Sequence, residues 1–289
     1  MNTFSSSQAE SQQSALSATA CPRPQLGRYA ACFAALGAQK RPAFIPFTLL
    51  GWPNLADSLK IVRGMLAAGV DALELGLPFS DPVADGPVIQ QAVYETLTQG
   101  VRIQDALALI GDIRQMTDIP IGLLVYYNTV LAQGVASFYQ QVARLGVDGV
   151  LVADLPPEAA EPEVVPLARG HGVAPLFLIS PMTSGERLRR IGTVADGFLY
   201  AVSRLGITGT HDVYDDTLAQ LIGRAHAETT LPVCVGFGIS TPAQAKKMVA
   251  LGADGVITGS GVIQAVRHRG DVPIDEAVRR YCADFMVAP

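Results

Sequence analysis

The stretch Gly69-Val70-Asp71-Ala72-Leu73-Glu74-Leu75-Gly76-Leu77 runs straight into Pro78-Phe79-Ser80-Asp81-Pro82-Val83-Ala84-Asp85-Gly86-Pro87, and together they carry one full unit of the chain's plan. A glycine suited to a helix C-cap comes first. An apolar run too short for a helix follows, and then a loop of Pro, Gly and Asp. The opening recurs as Gly146-Val147-Asp148-Gly149-Val150 and Gly252-Ala253-Asp254-Gly255-Val256, with a worn copy at Ala195-Asp196-Gly197-Phe198. Each copy sits where a helical pattern gives way to an apolar run. The glycine suits the left-handed cap, and the small residue suits a tight approach to the strand.

Outward from this stretch, the same alternation fills the chain. Strands are predicted at Phe44–Leu50, Ala72–Leu77, Ile119–Tyr126, Gly149–Leu155, Ala174–Ser180, Phe198–Ser203, Pro232–Gly238 and Val256–Ser260. They are continuously apolar, as strands covered on both faces should be. Between them lie amphipathic patterns such as Leu55–Ala68, Val135–Leu145, Glu186–Val194, Thr217–Ala227 and Pro242–Leu251. Strict alternation implies a parallel sheet, and eight units imply closure into a single (β/α)8 TIM barrel. The repeats precede strands two, four, six and eight, which fits either a two-unit ancestor or convergent turn chemistry. An extra N-terminal helix, Arg28–Leu36, is expected to cap the bottom of the barrel. The expected domains are a tail at residues 1–25 and a catalytic barrel at 26–289.

Composition narrows the class. The 289 residues are about half apolar, with a net charge of −5, which argues against nucleic acid and acidic membranes as partners. The Ser/Gln-rich start lacks apolar periodicity and reads as disordered. It has neither the basic-then-apolar layout of a secretory signal nor the arginines of a transit peptide. Cys21, Cys32, Cys234 and Cys282 are not spaced as pairs, and His171, His211, His226 and His268 are scattered. Reduced thiols, no metal site, no cofactor and a cytoplasmic location are therefore expected.

Chemistry is expected at the C-terminal ends of the strands. In strand two, Leu73, Leu75 and Leu77 share one face and should meet the helices, so Glu74 points into the barrel. A buried carboxyl is either paired with a cation or takes up a proton. Asp85, on the following loop, reaches the same mouth. Two carboxyls in unlike environments suit acid/base work, although turn or cap chemistry also fits Asp81 and Asp85. Gly-rich segments end strands six to eight: Ser203-Arg204-Leu205-Gly206-Ile207-Thr208-Gly209, Val235-Gly236-Phe237-Gly238-Ile239-Ser240 and Ile257-Thr258-Gly259-Ser260-Gly261. Backbone N–H groups at such ends converge on anions, and a phosphate is the expected one. Arg204 reads equally as an anion ligand or a solvated loop charge.

The segment Glu74–Pro87 closely resembles the signature of the tryptophan synthase alpha subunit. So do the Ser-Arg-x-Gly-x-Thr-Gly loop, the Gly-Phe-Gly-Ile-Ser turn and the Gly-Ser before the last barrel helix, the similarity running from about Arg28 to Val266. The resemblance implies cleavage of indole-3-glycerol phosphate to indole and glyceraldehyde 3-phosphate, with a beta subunit as partner in an alpha2-beta2 heterotetramer. It implies Glu74 and Asp85 as the catalytic pair, with Tyr200 near the reacting carbons. It implies Gly209, Gly238, Gly259 and Ser260 around the phosphate, and Phe47, Leu124, Tyr126 and Phe237 around the indole. Arg204 and Thr208 fall in its mobile loop. Departures stand at Leu49 and Trp52, expected at the pocket rim or a subunit contact, and at Phe198, where a tyrosine is common. A stand-alone lyase and a catalytically weak regulatory subunit remain as alternatives.

Overall fold

The computed structural model describes residues 27–202 and 211–286, without the side chains of 211–215. The expected tail at 1–25 lies outside the described residues, as do Arg204, Thr208 and Gly209. Eight strands, β1 (Ala43–Leu49), β2 (Leu73–Gly76), β3 (Ile121–Val125), β4 (Gly149–Val152), β5 (Ala174–Ile179), β6 (Leu199–Val202), β7 (Val233–Gly236) and β8 (Gly255–Thr258), form a closed barrel in sequence order. Every pairing is parallel, including the closing β1–β8 pair. The helices up to β4 are α1 (Arg28–Ala38), α2 (Leu55–Ala67), α3 (Pro87–Thr98), α4 (Ile103–Arg114), α5 (Tyr127–Gln133) and α6 (Val135–Arg144). After it come α7 (Pro157–Ala160), α8 (Val164–Gly170), α9 (Gly185–Val194), α10 (His211–Glu228), α11 (Pro242–Ala250), α12 (Ser260–Arg267) and α13 (Ile274–Met286). No helix among the described residues is long and apolar enough to cross a membrane.

Strand ends fall a residue or more inside several predicted limits. Tyr126, for example, is apolar in pattern but caps α5 instead of continuing β3. Helix α10 extends back from the apolar periodicity visible at Thr217 to at least His211, the first described residue of that segment.

Alternation along the strands divides the core in two. Leu73, Leu75 and Leu77 join the shell between sheet and helices, while Phe47, Ala72, Leu124, Tyr200 and Ile257 fill the interior. Helix α1 closes the bottom by sending Tyr29 up into the barrel, where only 4% of it stays exposed. Its ring meets Phe198 edge-on at 5.4 Å. Glycine makes the room: a Cβ on Gly149 would stand 2.9 Å from that ring, and one on Gly197 would stand 3.4 Å away.

The aspartates of the repeats clamp the floor. The N–H groups of Asp71, Asp148 and Asp254 donate to the carbonyls of Phe44, Ile121 and Val233. Their carboxylates in turn accept the N–H of those same residues, at 2.8, 2.8 and 2.7 Å. The β1–β2, β3–β4 and β7–β8 pairs thus each start with a two-way lock. The fourth copy, Asp196, donates to the carbonyl of Pro175. Proline has no N–H to return, and the Asp196 carboxylate takes Arg169 instead, at 2.7 Å. Arginines sit outside two of the other locks: Arg41 forks Asp71, and Arg114 and Arg28 share Asp148.

Asp148→Ala should therefore be costly, since it frees a strand N–H and strands the largely buried Arg114. The expected loss is about 3–5 kcal/mol, as when one partner of a buried pair is removed. Glu161→Ala, which opens the solvent-exposed pair with Arg190, should be close to neutral. Urea unfolding of the two variants against wild type measures both.

Candidate active site at the barrel mouth

A cavity of about 780 Å³ opens at the C-terminal ends of the strands. Its walls bring together Phe47 of β1, Glu74 of β2, Leu124 beside it on β3, Tyr200 of β6, and Phe237 and Gly238 after β7. Ile257, Gly259 and Ser260 close the β8 side, and Val83–Ile89 cover the side toward β2. Ile89 and Ile257 are wall residues that the sequence reading did not name. Ile89 was within reach of it: Pro87 marks the first turn of α3, which puts Ile89 in that turn immediately after the Asp85 loop.

Glu74 lies between Phe47 and Gly122 in the ladder and is only 4% exposed. Among the described residues no lysine or arginine pairs with it. Burial, then the charge of nearby Asp85, push its carboxyl up to about 8, against the opposing pull of a hydrogen bond from the Tyr200 hydroxyl. At neutral pH it holds a proton. Tyr200 is itself buried, and its hydroxyl occupies the space a side chain at Gly236 would need.

Asp85 is half-buried, and desolvation raises its carboxyl from the ordinary range. The Tyr126 hydroxyl donates to its Oδ2 at 2.8 Å and accepts the Ala84 N–H at 3.1 Å. The Tyr126 ring stacks on Phe79 at 5.1 Å. Tyr126 therefore stands behind the loop as a post and is not on the cavity wall. Gln90 adds a hydrogen bond to the Asp85 carbonyl at 2.9 Å. Asp81 remains in the turn, bonded to Ser80 and exposed, away from the cavity.

The opposite wall is built from backbone. Phe237 and Gly238 both take positive φ, 60° and 98°. Such a φ is strained for a phenylalanine. It turns the ring toward Tyr200, at 5.4 Å, and leaves Gly238 exposed beside the cavity. Helix α12 begins at Ser260, and its N-cap Gly259 makes no side-chain cap bond. A Cβ on Gly259 would stand 3.0 Å from the Phe47 ring. The first turn of α12 thus brings unblocked N–H groups and a positive dipole end to the cavity. Leu49 and Trp52, expected at the rim, are instead buried at 1% and 2% exposure. Trp52 is covered because its indole N–H donates to Glu95 at 2.7 Å and Arg267 lies over its ring.

A closed barrel whose strand ends hold two carboxyls, an apolar lining and a glycine-rich backbone wall has the layout of an enzyme of the barrel class. The family model described as tryptophan synthase alpha chain matches residues 33–286. The chain is 45% identical to the tryptophan synthase alpha chain of Methanothermobacter thermautotrophicus over 78% of its own length and 83% of that protein's. It is 42% identical to the alpha chain of Yersinia pseudotuberculosis, covering 87% and 94%. Solved structures agree. The alpha subunit from Legionella pneumophila superposes with a TM-score of 0.81 at 30% identity, covering 90% of this chain and 97% of that one. A tryptophan synthase structure from Mycobacterium tuberculosis gives 0.82 at 30% identity, covering 91% and 98%. The chain belongs to the tryptophan synthase alpha chain family, the lyases that cleave indole-3-glycerol phosphate in tryptophan synthesis.

The raised Glu74 carboxyl has a signature in stability. Between its ordinary value near 4.5 and about 8, the group is protonated when folded and ionised when unfolded. The folded state binds the extra proton, so stability falls as pH rises through this window and levels off above it. Glu74→Gln has no such titration. Its stability relative to wild type should rise by several kcal/mol between pH 5 and pH 9, as read from urea midpoints at stepped pH.

Proposed function

We propose that Glu74 carries both proton transfers of the cleavage and that Asp85 steadies the charge formed between them. The observation behind this reading is a protonated carboxyl, buried in the barrel without a cationic partner among the described residues and close to a second carboxyl that lines the same cavity. In the first step Glu74 gives its proton to the indole ring carbon that bears the glycerol chain. The ring becomes a cation with its charge toward the N–H. Asp85 accepts a hydrogen bond from that N–H through Oδ1, since Tyr126 holds Oδ2. Glu74, now a desolvated carboxylate, removes the proton from the hydroxyl on the adjacent chain carbon. The carbon–carbon bond breaks, its electrons return to the ring, and indole and an aldehyde result. Glu74 ends protonated, as it began. The Tyr200 hydroxyl supports the carboxylate during the interval in which it is charged.

The apolar wall of Phe47, Leu124 and Phe237 suits the indole. Gly238, Gly259 and Ser260 suit the phosphate through backbone N–H groups and the α12 dipole. One barrel domain carries the chemistry on this reading.

Glu74→Gln should lower indole formation from indole-3-glycerol phosphate by at least about 10²-fold, the floor for a general acid/base group. Asp85→Asn should also lose most of the turnover while still binding the substrate. Turnover above a tenth of wild type in Glu74→Gln would falsify the assignment.

We further infer that a beta subunit docks at the mouth, on the loop from Pro78 to Pro87, within an alpha2-beta2 assembly. Val83 and Tyr94 are 79% and 67% exposed, unusual for apolar side chains, and flank an open groove of about 490 Å³ between this loop and α3. Family membership and the likeness to solved tryptophan synthase structures support the same partner. Saturating beta subunit should raise lyase turnover, and Tyr94→Asp, which lies outside the active-site cavity, should abolish the rise without changing turnover of the chain alone. Turnover indifferent to the partner would mark a stand-alone lyase.

A further inference from the structure

The last helix reaches the anion wall through a single pair of hydroxyls. Tyr281, on α13, and Thr258, at the end of β8, lie 2.7 Å apart. The Thr258 hydroxyl also lies 2.8 Å from the carbonyl of Ile239, and the Tyr281 hydroxyl 3.1 Å from that of Ser240. Each hydroxyl has one proton, so two cooperative orders fill the short contact. Either Tyr281 donates to Thr258 and Thr258 to Ile239, or Thr258 donates to Tyr281 and Tyr281 to Ser240. Both orders end on a carbonyl of the segment that follows the Gly238 turn. Both pass through Thr258, two residues before Ser260.

The surroundings hold the pair in place. Tyr281 packs on Phe285 at 5.1 Å, and Phe285 stacks on Phe44 of β1 at 4.7 Å. Thr258 is 1% exposed. Gly261, in the first turn of α12, is spared a side chain where the Tyr281 hydroxyl sits, since a Cβ there would collide with it. Gln244 fixes the other flank by accepting the Ser240 N–H at 2.9 Å. Neither Tyr281 nor Thr258 lines the cavity.

We propose that the Tyr281–Thr258 pair is a staple that positions the phosphate site, holding the β7 turn and the first turn of α12 at the spacing at which both meet one phosphate group. The proposal rests on the phosphate reading of Gly238, Gly259 and Ser260 given above. The two residues are positioning residues, acting on the anion only through the backbone they hold. Their removal should therefore weaken the phosphate end of the site and leave the indole end alone.

The test is calorimetric titration of glycerol 3-phosphate and, separately, of indole into the full chain. Tyr281→Phe and Thr258→Val should each weaken glycerol 3-phosphate about five- to tenfold, the scale of one lost hydrogen bond. The double variant should lose little more, because each single change already opens the staple. Thr258→Ser keeps the hydroxyl and should bind within twofold of wild type. Indole affinity should stay within twofold in all four. With indole-3-glycerol phosphate, KM should rise while kcat holds. Unchanged phosphate affinity in Tyr281→Phe and Thr258→Val, or a parallel fall in indole affinity, overturns the proposal. Gly238→Val separates the two readings. If it loses glycerol 3-phosphate while the staple variants keep it, only the staple falls; if it binds like wild type, the phosphate reading falls and the staple with it.

Discussion

A column of aromatic rings runs up the inside of the barrel, and the site depends on where it stops. Tyr29 and Phe33 rise from α1, Phe198 and Tyr200 continue along β6, and Phe237 ends the column at the mouth. Rings of this size fit only because neighbouring positions have no side chain, as at Gly149, Gly197 and Gly236. Filling the lower barrel with apolar groups keeps water from Glu74 from below. Seating Tyr200 beside it supplies the one hydroxyl that moderates the resulting desolvation. A shorter column would hydrate Glu74 and lower its carboxyl toward the ordinary range, at the expense of its proton at neutral pH.

The mouth shows how unlike supports produce unlike carboxyls. Glu74 is carried by a strand and cannot move without breaking the ladder. Asp85 rides on a loop and owes its position to Tyr126, Gln90 and a local turn to Pro82. The first group is fixed and dry, and the second is half-exposed and adjustable. Opposite them, the glycine-lined wall carries no charged side chain among the described residues that line the cavity. On the proposed phosphate reading its selectivity would lie in backbone direction, for which a strained Phe237 and a glycine N-cap on α12 stand side by side.

Much of this was readable from the chain alone. The alternation of short apolar runs with helical patterns decided the barrel, and the leucines of β2 decided that Glu74 faces inward. The resemblance places Tyr126 around the indole, whereas its hydroxyl turns to Asp85 behind the loop. Its bond to Asp85 joins residues some forty positions apart and depends on the loop's path. The repeat aspartates were read through their neighbouring small residues, whereas their carboxylates lock adjacent strands. That function appears only once the register pairs Asp71 with Phe44 and Asp148 with Ile121. Trp52 looked like a rim residue by its place after β1, and Glu95 and Arg267 hide it. Tyr281 was invisible because its partners come from β8 and the segment after β7, outside its own helix.

The burial of Trp52 has an optical consequence. It is the sole tryptophan of the chain. Its indole N–H is tied to Glu95 of α3, and its ring lies beneath Arg267 at the far end of α12. Helix α3 starts just after the Asp85 loop, and α12 starts at Ser260, so each is a rod with one end in the site and the other against the same fluorophore. A charge moving by a fraction of an ångström beside an indole shifts its emission energy. The chain thus carries a built-in gauge whose colour reports displacement of either rod, read with glycerol phosphates, which absorb no near-ultraviolet light and leave the signal to the protein.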